Sequence, residues 1–254
     1  MPMAFLDGLK DFGFEKTRRA LALLALSFFI TMYGLSLVMV PPEMRPMFVG
    51  LMGCYLTAFV ALASEWFWAR WFASGLGWSG VLLSLMFTVL HGWLPFMGLY
   101  GGLHAVVVVA LLGDKMSALY DMQEGWRGRY GMDEYGVARL RKMVTRSAAS
   151  LPTLIVMALG PREIQGNVLV IGGVLGIAGV IGGLRLRTWG LFAMGAASIV
   201  LARSGPAPAW YETLAEGFTY SWSPPYASSL AAVLLAFAVL PFARPAIGFL
   251  LRRP

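Results

Sequence analysis

Eight apolar runs with no charge in their interiors constrain this chain more than any other feature. They are Ala20–Val40, Met47–Ser64, Phe72–His91, Pro95–Gly113, Ser147–Gly160, Asn167–Leu184, Thr188–Ala202 and Ala227–Phe242. A helix needs about 20 apolar residues to cross a bilayer core, within a range of roughly 17–25. A soluble core could absorb one or two such runs, but not eight. The chain has only 13% charged residues, against about 25% in ordinary soluble proteins. Its apolar share is 58% and its mean hydropathy +0.70. So few charges cannot cover the surface of a soluble 254-residue fold. Soluble-enzyme, disordered and nucleic-acid-binding readings are excluded, and an all-α polytopic membrane protein is expected. The fifth run is the shortest and carries Pro152 in its first turn. If it is re-entrant, the count falls from eight spans to seven.

Charge placement sets the expected direction. With eight spans and a cytoplasmic N-terminus, the outer segments hold only Arg45, Arg162 and Arg203 of the 20 basic residues. A re-entrant fifth segment would move Arg185, Arg187, Arg244, Arg252 and Arg253 outside and weaken the asymmetry. The positive-inside bias therefore favours eight spans with both ends cytoplasmic. The expected organisation is one membrane domain over 1–254: four helices in 1–113, a cytoplasmic loop with an amphipathic helix in 114–146, and four helices in 147–254. The second-to-third turn, ARWFASGLGWSG, is echoed by RLRTWGLFAMGAAS at the sixth-to-seventh. Arg and Trp before a small-residue helix are also generic at a cytoplasmic interface.

Three peripheral segments read as interfacial helices. Residues 3–16 place Phe5, Leu9 and Phe12 on one face. Asp133 to Arg146 starts with acids and ends with bases, which suits the helix dipole. Residues 209–218 place Trp210, Leu214 and Phe218 four apart, between Pro206/Pro208 and Pro224-Pro225. Ala20–Val40 lacks a small-residue cleavage site and reads as a retained span rather than a signal peptide. Cys54, the single cysteine, excludes an internal disulfide and reads as a small buried hydrophobe.

Little in the spans can carry chemistry. No acidic or basic residue lies mid-span, so the usual carriers of proton relays and voltage sensing are missing. The lysines are Lys10, Lys16, Lys115 and Lys142, all outside the spans, which removes a retinal Schiff base. The glycine-rich GGVLGIAGVIGG lacks the Lys and Ser/Thr of a phosphate-binding loop. The candidate functional side chains are Ser79, His91 and His104. His91 closes the third run, whereas His104 sits about nine residues into the fourth, roughly 14 Å deeper. Two axial haem ligands should share a depth, so no cofactor or metal is expected. Gly77-Trp78-Ser79-Gly80 resembles the GxSG serine motif of rhomboid intramembrane proteases over four residues. That resemblance implies Ser79 as nucleophile and a histidine base. In rhomboids the histidine lies on a later helix than the one following the serine, whereas His104 is on the next.

Glycines at Gly98/Gly102, Gly172/Gly176 and Gly179/Gly183 have the small-xxx-small spacing of close helix contacts. Gly172, Gly176, Gly179 and Gly183 share one stripe, expected to meet another helix, with Pro95–Gly113 the suggested partner through Gly98 and Gly102. The expected function is a non-catalytic membrane subunit or assembly partner of a larger complex. A permease for a neutral or apolar solute is the alternative, and an intramembrane serine protease the third. The expected partners are the lipid bilayer and other membrane subunits, with no nucleic acid. The expected location is a bacterial cytoplasmic (inner) membrane.

Overall fold

The computed structural model describes residues 14–121, 123–204, 211–213, 219–221 and 226–251. In chain order these form α1 (Phe14–Met39), α2 (Arg45–Ala63), α3 (Ala69–His91), α4 (Pro95–Ala110), α5 (Asp114–Asp121) and α6 (Glu124–Tyr130). Then come α7 (Glu134–Leu159), α8 (Arg162–Leu184), α9 (Thr188–Arg203), strands β1 (Tyr211–Thr213) and β2 (Thr219–Ser221), and α10 (Ala227–Leu251). Prolines start several of these helices. Pro42 opens a 3₁₀ turn ahead of α2, and Pro95 opens α4, where a missing N–H costs nothing. Asp133 caps α7 by accepting a hydrogen bond from the Gly136 N–H at 2.6 Å.

The structure is helical, with several apolar helices, as the sequence implies. By length and composition, four helical stretches among the described residues can cross a bilayer: Lys16–Met39, Pro42–Ala63, Ala69–His91 and Gly166–Leu184. A fifth is added if α4 and α5, bent by 75° at their junction, count as one. Four or five helices thus meet this test among the described residues, against eight apolar runs in the sequence. α9 and the apolar part of α10 are short, and α7 spends its first half on charged residues.

Two further expectations change. The expected loop helix over 133–146 and the fifth run are one continuous helix, α7, of 26 residues. Pro152 lies inside it without breaking it. Of the segment 209–218, expected as a flat outer helix, the described residues 211–213 are extended instead. Tyr211–Thr213 pairs antiparallel with Thr219–Ser221, Glu212 opposite Tyr220. Tyr and Thr favour an extended pleat, and this preference overrides the four-residue apolar spacing. Residues 209, 210 and 214–218 lie outside the described residues, as does most of the expected helix at 3–16.

Two rings of four helices build the bundle. In the first, α1 packs on α2, α2 on α3, α3 on α4, and α4 back on α1. In the second, α7 packs on α8, α8 on α9, α9 on α10, and α10 back on α7. α7 joins the rings by also packing on α3 and α2. Its stretch Ser147–Ile155 is buried throughout. The joint is tight at Gly75 of α3, where a side chain would overlap the Thr145 carbonyl and Ala148 of α7.

One end of the bundle is stitched by arginines. A helix leaves its last carbonyls without donors, and in lipid such groups must be satisfied within the protein. Arg18 donates to the carbonyls of Val109, at 2.9 Å, and Leu112 at the end of α4. Arg19 donates to the Ala63 carbonyl at the end of α2, 2.5 Å away, and pairs with Glu65. Arg146 of α7 donates to the Phe237 carbonyl of α10 at 2.5 Å, its guanidinium 5.7 Å from the Phe237 ring centre. That carbonyl lacks its helical donor because residue 241 is a proline.

Arg146→Ala should thus cost about 1.5–3 kcal/mol, the usual range for a charge-assisted hydrogen bond. In a Pro241→Ala background the backbone N–H gained at that position restores the helical bond, and the Arg146→Ala cost should fall to less than half. Thermal unfolding of the four variants in detergent measures the coupling; equal costs in both backgrounds would refute the cap.

Candidate functional site

The densest polar cluster inside the first ring is built around His104. Tyr100 and His104 stand four apart on α4, and Phe29 and Tyr33 four apart on α1, so each pair shares a helix face. Tyr55 comes from α2. His104 and Tyr55 are fully buried. His104 Nδ1 lies 2.8 Å from the Tyr100 carbonyl oxygen, which can only accept, so Nδ1 carries the proton and donates. Nε2 of the neutral ring therefore accepts, and the Tyr55 hydroxyl donates to it at 2.7 Å. The hydroxyls of Tyr33 and Tyr100 meet at 3.3 Å. Phe29 covers the imidazole, ring centres 3.9 Å apart. On the opposite side the imidazole presses on Gly80 of α3, where a Cβ would overlap the ring. Both nitrogens and both ring faces are thus occupied by the chain itself.

This arrangement separates the three candidate side chains. Ser79 is buried on α3 but partners neither His104 nitrogen, so the nucleophile–base pair of a serine protease is not assembled. His91 is exposed at the end of α3, its ring 4.6 Å from that of Phe87. One histidine sits on a rim and the other in the core, so the pair does not converge on one ligand. Among the described residues no group of three or more His, Cys, Asp or Glu is placed to hold a metal ion.

The glycine stripe of α8 meets two helices, and α4 is neither of them. A Cβ at Gly172 would reach Leu201 of α9 at 2.6 Å, and one at Gly179 the Met194 backbone of α9 at 2.7 Å. At Gly176 it would meet Leu154 of α7 at 2.8 Å, and at Gly183 Met143 of α7 at 3.0 Å. The stripe wedges between its neighbours in the second ring. On α4, Gly98 makes room for the Trp93 indole, while Gly102 faces open space.

A second polar cluster escaped the sequence reading. Arg70, at the start of α3, forms a two-pronged ion pair with Asp121, at the end of α5. The same guanidinium donates to the Leu111 carbonyl at 3.2 Å and to the Ser117 hydroxyl at 3.3 Å, and Ser117 donates to Asp121 at 2.8 Å. Both charged residues are more than nine-tenths buried. Beside them Tyr120 donates to the Leu62 carbonyl at 2.9 Å. A cavity of about 220 Å³ opens next to the pair, lined by Ser117, Asp121, Arg127, Glu134 and Arg141 among others. Here α5 and α6 fold back under the first ring, with Trp126 stacked on Phe67 at 4.3 Å. In sequence Arg70 and Asp121 are ordinary interface charges, and nothing along the chain links two residues 51 apart. The chain matches no family model, no curated protein and no solved structure.

Two contrasts test the packing. Gly80→Ala should destabilise by about 1–3 kcal/mol because His104 must move, while Gly102→Ala should be neutral or slightly stabilising. On α8, Gly179→Leu should cost clearly more than Val174→Leu, since Val174 is exposed. Detergent melting curves decide; like behaviour within either pair would contradict the geometry.

Proposed function

We propose that this chain is a non-catalytic integral membrane subunit whose role is to assemble with other membrane proteins. The observation that carries this reading is the closed state of its polar interior. His104 spends both nitrogens on Tyr55 and the Tyr100 carbonyl, and Gly80 and Phe29 close its faces. Arg70 and Asp121 likewise spend their charges on each other and on nearby groups. Catalysis needs a reactive group left available to a substrate, whereas these groups position helices. Large apolar side chains are exposed along α1, α3, α8 and α9, including Leu24, Val38, Val89, Ile171 and Phe192. They suit lipid and neighbouring membrane helices alike.

The finer arrangement we propose is eight crossings with both termini and residues 114–146 cytoplasmic, in one membrane domain of a bacterial cytoplasmic membrane. The arginine-capped end is then the cytoplasmic end, in keeping with the positive-inside bias. A permease for a neutral or apolar solute is the second reading. It is favoured by the two four-helix rings, a layout that parallel-repeat transporters share.

Reporter fusions near Gly128 and at Pro254 should score cytoplasmic, and periplasmic activity at either point would overturn the orientation. Purified from native membranes in mild detergent, the tagged chain should run with companion membrane chains in fixed stoichiometry. If it instead runs alone, and proteoliposomes of it take up a neutral solute, the permease reading replaces the subunit reading.

A further inference from the structure

Two basic segments distant in sequence meet at one end of the second ring. Gly183, near the end of α8, packs against Met143 of α7. One turn outward from Met143 on the same stripe of α7 lies Arg139, and Lys142 is its neighbour. Just past Gly183 the chain turns through Arg185, Leu186 and Arg187 into α9. The turn is fixed by hydrogen bonds from the Leu186 N–H to the Gly183 carbonyl, 3.0 Å, and from the Arg187 N–H to the Gly182 carbonyl, 2.9 Å. Leu186 takes a left-handed conformation there, φ 56°. Arg139, Lys142, Arg185 and Arg187 are all exposed. None forms an ion pair among the described residues. Four like charges, two on this turn and two on the adjoining end of α7, repel one another, and a bound anion relieves that repulsion.

What continues from this patch says which anion it suits. Arg185 heads an exposed apolar stripe on α8: Ile181, Val174 and Ile171, at 45%, 52% and 52% exposure. Trp189, two residues after Arg187, heads another on α9 with Phe192 and Ile199, at 49%, 57% and 64%. Trp189 lies against Gly182, which anchors an indole at the boundary between charge and hydrocarbon. A cationic cluster running directly onto exposed apolar stripes matches a molecule with a negative head and acyl tails. An acidic protein segment would match the cations but not the stripes.

We propose that Arg139, Lys142, Arg185 and Arg187 hold the phosphate headgroup of an anionic phospholipid, whose acyl chains lie along the exposed faces of α8 and α9. The site stands independently of the subunit reading and rests on the proposed arrangement only in that α9 lies in the bilayer beside α8.

The test is lipid retention by the full chain, read by native mass spectrometry and by melting temperature. Phosphatidylglycerol and phosphatidylcholine are titrated separately. Phosphatidylglycerol should bind at least tenfold more tightly and raise the melting temperature. Arg139→Gln/Arg185→Gln/Arg187→Gln should remove that preference, and the matching triple lysine variant should keep it. Arg129→Gln, on α6, should leave it unchanged. Equal binding of the two lipids, or a preference that survives the glutamine variant, overturns the proposal. A shift of the same size with inorganic phosphate would make this a free-phosphate site, and one with polyglutamate an acidic-protein site; either also overturns it.

Discussion

The bundle depends on α7 coming close enough to two sets of neighbours at once. Its stretch from Ser147 to Ile155 is buried on all sides, so it behaves as a core helix rather than a lipid-facing one. Such closeness needs small residues on the partners, since apolar attraction is no stronger between helices than to lipid tails. Gly75 supplies the missing volume on α3, and Gly173 on α8, where a Cβ would lie 2.8 Å from the Leu154 carbonyl. Each glycine costs its own helix roughly 0.5–1 kcal/mol relative to alanine. That cost is offset only where a backbone lies against the bare face, as it does at both positions. The approach at Gly75 brings α3 into the core that the two rings share through α7.

A second constraint acts where the helices end. Carbonyls left over at α2 and α4, and the one freed by Pro241 in α10, receive donors from arginines on other helices. Each of these arginines therefore ties two elements together: α1 to α4, α1 to α2, and α7 to α10. Arg70 does the same between α3 and the chain leaving α4. A count of basic residues as topology signals treats them as interchangeable. In the structure, Arg18, Arg19, Arg70 and Arg146 are committed to particular carbonyls, while Arg139, Arg185 and Arg187 remain exposed. Of these seven, only the exposed three are free to act on something outside the chain.

Helical character and the rough helix boundaries were legible in the sequence because apolar runs, prolines and the Asp133 cap act locally. Asn167–Leu184 and Thr188–Ala202 lie close to the ends of α8 and α9 for that reason. Span counting was less secure, because an apolar run reports composition and not the length of helix lying in lipid. The error at 211–213 arose where a four-residue apolar spacing competed with the extended preference of Tyr211 and Thr213, which pair with Thr219–Ser221. The candidate site was legible only in part. His104 stood out as a lone polar group in an apolar run, but its partners come from α1, α2 and α3. Partners on different helices leave no periodic trace. The glycine stripe on α8 was visible as spacing, yet spacing does not name the helix that fills it.

The sequence echo between α3 and α9 acquires a physical meaning from these contacts. Both are the third helix of a four-helix ring, and both open with an arginine and a tryptophan. The shared residues nevertheless do opposite work. Arg70 and Trp71 are buried, with Arg70 locked to Asp121, because α5 and α6 fold back over that corner. Arg187 and Trp189 are exposed, because nothing among the described residues folds back over the matching corner of the second ring. The difference follows from the chain between the rings. Residues 114–133 exist once, and they cover one corner only. Among the described residues the two rings thus differ at this end, and the basic turn of the second ring lies exposed there.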